Sequence, residues 1–188
     1  MSRWTLAPAA RGEAAPLAHA PRAVTVVAVF ALCAPPLITG ALLPCRASAA
    51  DAPAATYPLG AASFQTNCVV CHGPSGGGLP GLAPPLLSYP ARYAANPEGR
   101  RQLAMTVLYG MIGDVTVDDK HYNFQMPDFA RLDDATLAAT LNFVVFDLDH
   151  APTDVKPLTP GEIATERAHP MDGAAVHEHR SSVAPHGP

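Results

Sequence analysis

The chain has 188 residues, 48% of them hydrophobic and only 6% aromatic, with 21 prolines, four cysteines and a formal net charge of −4. That apolar share is enough for a packed core, and the acidic balance excludes the basic footprint of a nucleic-acid binder. The length suits one domain plus terminal extensions rather than two full domains.

The N-terminal segment reads as an export signal over residues 1–49. Arg3, Arg11 and Arg22 precede an apolar run from Ala23 to Ala34, Pro35-Pro36 interrupts it, and Leu37 to Leu43 resumes it. Ala47-Ser48-Ala49 supplies the small-x-small pattern of a cleavage site. The two prolines leave no clean run of about 20 apolar residues, so a cleaved signal is expected over an uncleaved anchor. A lipoprotein reading of Cys45 conflicts with Pro44 before it, and Cys33 is an apolar filler. Beyond the leader the chain keeps eight basic and fifteen acidic residues, which favours docking on a basic surface. Residues 50–56 are a short linker, and the folded domain is expected over 57–149.

Leu59 to Cys68 suits a short helix, with Gly60, Ala61 and Phe64 on its apolar side. It delivers the most informative stretch of the chain, Cys68-Val69-Val70-Cys71-His72. Two cysteines two residues apart, followed at once by histidine, form the c-type haem attachment signature. Two thiols on one turn can each add to a haem vinyl group, and the next residue then lies under the porphyrin, where its imidazole can bind the iron. The competing readings fit less well. A zinc site needs a second ligand pair, yet the other two cysteines lie in the leader. A redox dithiol needs a βαβ setting, which the pattern lacks. Covalent haem attachment and export point to the same compartment, the periplasm. One motif implies one haem c.

Gly73 to Gly81 holds five glycines and two prolines and is a loop. In Ala83-Pro84-Pro85-Leu86 a proline carbonyl is a candidate acceptor for the second nitrogen of His72; a merely rigid loop is the other reading. Pro97 to Tyr109 is helical by pattern and ends at Gly110. Val115-Thr116-Val117 and Tyr122 flank Asp118-Asp119-Lys120 as a small hairpin. The last helix opens with Asp133 as cap and Asp134 in its first turn, then repeats Leu137, Leu141, Val144 and Val145.

The candidate for the second axial ligand is Met126, 54 residues after His72, in a loop that Pro127 stiffens. A neutral thioether opposite a neutral imidazole favours reduced iron and raises the potential. Met105, Met111, Met171 and His121 are its competitors, with Met105 assigned to the core and Met111 the nearest rival. The architecture expected is all-α, three or four helices and long loops around one covalently attached haem, with a possible short hairpin. The core is thin for about 95 residues, so the polypeptide without haem is expected to fold poorly.

Residues 150–188 change character. Prolines recur and large apolar residues thin out, so the segment reads as a disordered tail carrying His169, His177, His179 and His186. A metal-binding tail is the alternative.

At this point the chain resembles the class I cytochromes c, small His/Met-ligated monohaem carriers, over roughly Tyr57 to Asp149. Gly60-x-x-x-Phe64-x-x-x-Cys68-x-x-Cys71-His72-Gly73 matches the family's opening. The resemblance implies that Gly60 and Phe64 pack against Phe143 or Phe146 in the last helix. It also implies Pro84 as acceptor for His72 and Met126 as distal ligand. Val107 to Gly110 and Tyr122 to Pro127 look like a subgroup that serves periplasmic dehydrogenases or terminal oxidases, with Gln125 and Asp128 as departures.

Function is then expected to be single-electron transfer between a donor dehydrogenase or membrane complex and an oxidase or reductase, without catalysis by the chain itself. No membrane span remains if the signal is cleaved. The alternatives are a catalytic or gas-sensing haem protein with an open sixth position, a permanent haem subunit of a larger complex, and a metal-handling protein that uses the tail.

Overall fold

The computed structural model describes residues 54–123 and 125–183; the export signal and His186 lie outside them. The fold is mostly helical with one two-stranded sheet. Helix α1 (Pro58–Asn67) begins with proline near its first position, where a missing N–H costs nothing. The N–H groups of Thr56 and Tyr57 donate to the Asp147 carboxylate, each at 3.0 Å, which ties the start of α1 to the far end of the last core helix. Helix α2 (Val69–His72) is a single turn that follows α1 after the joint at Cys68.

Helix α5 (Asp134–Asn142) is capped by Asp133, whose carboxylate accepts from the Thr136 N–H at 2.7 Å. It runs on into a π-helical stretch, Phe143–Leu148. Helix α1 crosses α5 at Gly60. A β-carbon there would sit 2.0 Å from the Ala139 carbonyl oxygen, so the two backbones meet where only hydrogen fits. Beside this point the rings of Phe64 and Phe143 pack with centroids 5.3 Å apart. The Ser63 and Thr140 hydroxyls bond to each other at 2.8 Å. Phe146 instead stacks on Tyr57 at 5.6 Å.

Helix α3 (Pro90–Ala94) has no counterpart in the pattern-based expectation, which leaves the segment without an element. Proline again opens the helix rather than breaking it. Helix α4 (Pro97–Tyr109) starts at Asn96, whose side chain accepts from the Gly99 N–H at 2.8 Å, and ends at Gly110 with φ of 70°. Strands β1 (Val115–Val117) and β2 (Lys120–Tyr122) pair antiparallel, Val115 opposite Tyr122. Asp118 and Asp119 have φ of 51° and 59°, the left-handed two-residue connection that suits the twist of a hairpin.

The expectation of a disordered tail over 150–188 is corrected by two helices, α6 (Pro160–Arg167) and α7 (Gly173–Val183). Thr159 and Glu162 form a reciprocal capping box at the start of α6. Ile163 and Val176 are fully buried, as is nearly all of Leu158. Arg100 on α4 staples the segment down: its guanidinium grips both oxygens of Glu162, at 2.6 and 2.9 Å, and donates to the carbonyls of Lys156 and Pro157 at 2.7 and 3.0 Å. Asn142 exchanges two hydrogen bonds with the backbone of Leu158, at 2.9 and 2.7 Å. The prolines read as breakers are therefore helix starters and loop corners, and the sparse apolar residues are those that reach the core.

Two outcomes are predicted. Gly60→Ala destabilises the fold by about 1–3 kcal/mol despite alanine's better helix propensity, because the contact with Ala139 must open; denaturant unfolding measures it. The Arg100 hydrogen bonds, against the cost of burial, hold Glu162 at a pKa of about 2, below its ordinary 4.5. A lowered carboxylate pKa stabilises the fold above the unfolded value and loses that stability as pH falls through the folded one. Amide protection in α6, taken relative to the intrinsic exchange rate at each pH, should therefore fall as pH drops from about 4.5 to about 2. Glu162→Gln should remove that dependence at a cost of about 1 kcal/mol, reduced by the pair's partial exposure.

Candidate functional site

The site begins where α1 stops. Asn67 ends the helix, Cys68 bends the chain, and the single turn of α2 carries Cys71 and His72. The Cys68 carbonyl accepts from the N–H groups of Cys71 and His72, at 3.2 and 2.9 Å, so both thiols ride on one tight turn. Both cysteines are free and half-buried. Burial, reinforced by the neighbouring Cys71, pushes the Cys68 thiol up to about 11. A reactive redox dithiol needs the opposite shift, toward the thiolate, so this environment does not suit one.

His72 is 8% exposed. Its Nδ1 lies 3.0 Å from the Pro84 carbonyl oxygen. A carbonyl can only accept, so Nδ1–H donates, and the lone pair of the ring is left on Nε2. Burial lowers the pKa of the imidazole and the Pro84 bond opposes that shift. The side chain is thus an oriented, neutral nitrogen donor. The glycine-rich loop makes the Pro84 contact possible. Gly78 has φ of 73°, and a β-carbon there would lie 2.6 Å from the Ala83 carbonyl oxygen, next to Pro84.

Cys68, Cys71 and His72 open onto a cleft of about 190 Å³. The lining is overwhelmingly apolar and includes Pro84, Leu86, Leu103, Val115, Val117 and Phe129. Met126 lines it as well. Its backbone is pinned by two hydrogen bonds to Met111, Met126 N–H to Met111 C=O at 3.0 Å and Met111 N–H to Met126 C=O at 3.1 Å. Gly110 lies against this pair; a β-carbon on it would be 2.3 Å from the Met126 oxygen. Directly paired residues put their side chains on the same side, so Met111 shares the cleft with Met126.

The remaining competitors do not line it. Met105 is fully buried in the core. His121 is exposed and bonds to the Thr116 hydroxyl at 3.1 Å. Gln125 lines the cleft, whereas Asp128 is exposed. The tail histidines are engaged elsewhere: His177 donates to the Asp114 carbonyl at 2.7 Å and His179 to the Gln102 side-chain oxygen at 2.7 Å. Among the described residues no three metal-ligating side chains converge.

Sequence reasoning missed Tyr93, Gln102 and Arg180 in the lining. Tyr93 arrives on the overlooked α3. Its hydroxyl is the one buried side-chain polar atom without a partner among the described residues. Arg180 comes from α7, and no local signal in the sequence places it there.

The residues fit a haem c. Two thiols on one turn, a buried imidazole with its lone pair on the free nitrogen, methionines in the same lining and an apolar slot supply attachment points, ligand types and an apolar enclosure for such a group. Among the described residues no helix is long and apolar enough to cross a membrane.

The family model described as cytochrome c matches residues 58–145. The chain is 36% identical over 109 residues to a cytochrome c-552 of Thermus thermophilus, a match that covers 57% of this chain and 83% of the relative. A second cytochrome c-552, from a named strain of the same organism, is also 36% identical over 109 residues, covering 57% of this chain and 74% of that relative.

Proposed function

The chain belongs to the cytochrome c family, and on that footing we propose that it is an exported, periplasmic one-electron carrier with a single haem c. Cys68 and Cys71 would hold the haem covalently, and His72 and Met126 would ligate its iron. The observation that carries this reading is one cleft containing the Cys68–His72 turn, an imidazole whose tautomer the Pro84 carbonyl fixes, and the backbone-pinned Met126.

The haem supplies an iron that gains and loses one electron. The chain's own residues do the rest. The Pro84 carbonyl fixes the ring plane of His72 and makes its free nitrogen more basic. The Met111–Met126 backbone pair and the stiff Met126-Pro127 joint hold the sulfur without a large rearrangement. Leu86, Val115, Val117 and Phe129 exclude water from the slot. A coordination shell filled by His72 and Met126 would suit electron transfer and would leave no open position for substrate.

The partners proposed are a periplasmic dehydrogenase as donor and a membrane oxidase or reductase as acceptor. The excess of carboxylates beyond the leader supports brief docking on basic surfaces that weakens as salt rises. The export reading of residues 1–49 and the chemistry of haem attachment support the compartment.

The test is the visible spectrum of the oxidised protein made with haem-maturation machinery. The weak far-red band that marks sulfur on ferric iron should be present, should vanish in Met126→Ala and should survive in Met111→Ala. The reverse pattern would make Met111 the ligand. A wild type without the band that binds carbon monoxide readily would replace the carrier with a catalytic or gas-binding haem protein.

A further inference from the structure

Helix α7 lies beyond the residues that match the family model, yet it contributes Arg180 to the lining of the cleft. It is docked by specific contacts. The Ile112 N–H donates to the Gly173 carbonyl at 2.9 Å, the Gln102 amide donates to the Val176 carbonyl at 3.3 Å, and His179 donates back to Gln102 at 2.7 Å. His179 also stands 3.6 Å from the Glu98 carboxylate. None of these contacts uses Arg180.

Arg180 is half-buried and is the one formally charged side chain in the lining; no aspartate or glutamate lines the cleft. Among the described residues it makes no ion pair and no hydrogen bond. In the same lining the Tyr93 hydroxyl, in a residue only 6% exposed, also lacks a partner. The two groups feel each other: burial pushes the Tyr93 hydroxyl up in pKa, and the Arg180 guanidinium opposes that push. The hydroxyl therefore remains a donor at neutral pH.

A buried polar group without a partner is costly, and so is a cation facing an apolar slot with no anion. Both point to a ligand that brings negative charge and hydrogen-bond acceptors into this part of the cleft. A haem carries two carboxylates, and one seated on Cys68, Cys71 and His72 must bring them either to water or to such a site.

We propose that Arg180 and the Tyr93 hydroxyl bind one haem carboxylate, so that α7 is a clasp closed over the cofactor by its own arginine. This rests on the haem reading above and adds a binding site built from the C-terminal extension. Arginine suits the task because its planar fork pairs with both carboxylate oxygens, and charge-assisted hydrogen bonds of this type are strong. The bound cofactor and the C-terminal helix then stabilise each other's positions.

The test uses the haem-loaded full chain with Tyr93→Phe, Arg180→Gln and Arg180→Lys. In resonance Raman spectra the carboxylate bending mode of the haem should shift in Tyr93→Phe and in Arg180→Gln. The reduction potential should fall in Arg180→Gln, since a lost positive charge disfavours the reduced iron, and should recover in part in Arg180→Lys. Amide exchange in α7 should rise about tenfold in Arg180→Gln, as expected for the loss of a charge-assisted hydrogen bond. A haem-loaded protein whose carboxylate mode is unchanged in both Tyr93→Phe and Arg180→Gln would overturn the clasp and leave the cofactor reading intact. A wild type that retains no haem would overturn both.

Discussion

The contact between α1 and α5 depends on Gly60 having no side chain. With the Ala139 carbonyl 2.0 Å from where a β-carbon would lie, any other residue would push the helices apart. The consequence is felt one helix length away. Helix α1 is fixed at Gly60, at Phe64 against Phe143 and, just before its first turn, by the Thr56 and Tyr57 N–H groups on Asp147. Its far end can then emerge in only one place, and that end carries Cys68, Cys71 and His72. The glycine thus positions the chemistry of the molecule without touching it.

Among the described residues the buried apolar side chains form three separate groups rather than one core. One is centred on α4, α5 and α6, one on Phe64 and Phe143, and one on the hairpin residues Val115, Val117 and Tyr122. The cleft is lined from all three: Phe129 and Leu103 from the first, Leu86 and Cys68 from the second, Val115, Val117 and Met111 from the third. A large apolar plate in that slot would join them into one packed interior. In such a chain the cofactor would be a structural element as well as a redox centre, completing a core that is divided among the three groups.

What is legible in the sequence is local. The Cys68–His72 signature, the Asp133 cap, the stop at Gly110 and the hairpin around Asp118-Asp119 each have their cause within a few residues. The C-terminal segment misleads because its prolines look like breakers, although Thr159-Pro160-Gly161-Glu162 is a helix start in plain sight. Helix α7 offers less. Its place depends on long-range bonds to Gln102, Ile112 and Asp114, which no window along the chain contains. The choice between Met126 and Met111 is of the same kind: a backbone pairing across fifteen residues puts both in one cleft, and spacing alone cannot separate them.

The measurement that bears most directly on this account is amide exchange compared between the haem-loaded chain and the same chain produced without haem attachment. If the cofactor joins the three groups, its absence should cost protection in all of them at once, in β1, in α4 and in the α1–α5 contact. Equal protection in the two preparations would contradict the account, since the polypeptide would then supply its whole core alone.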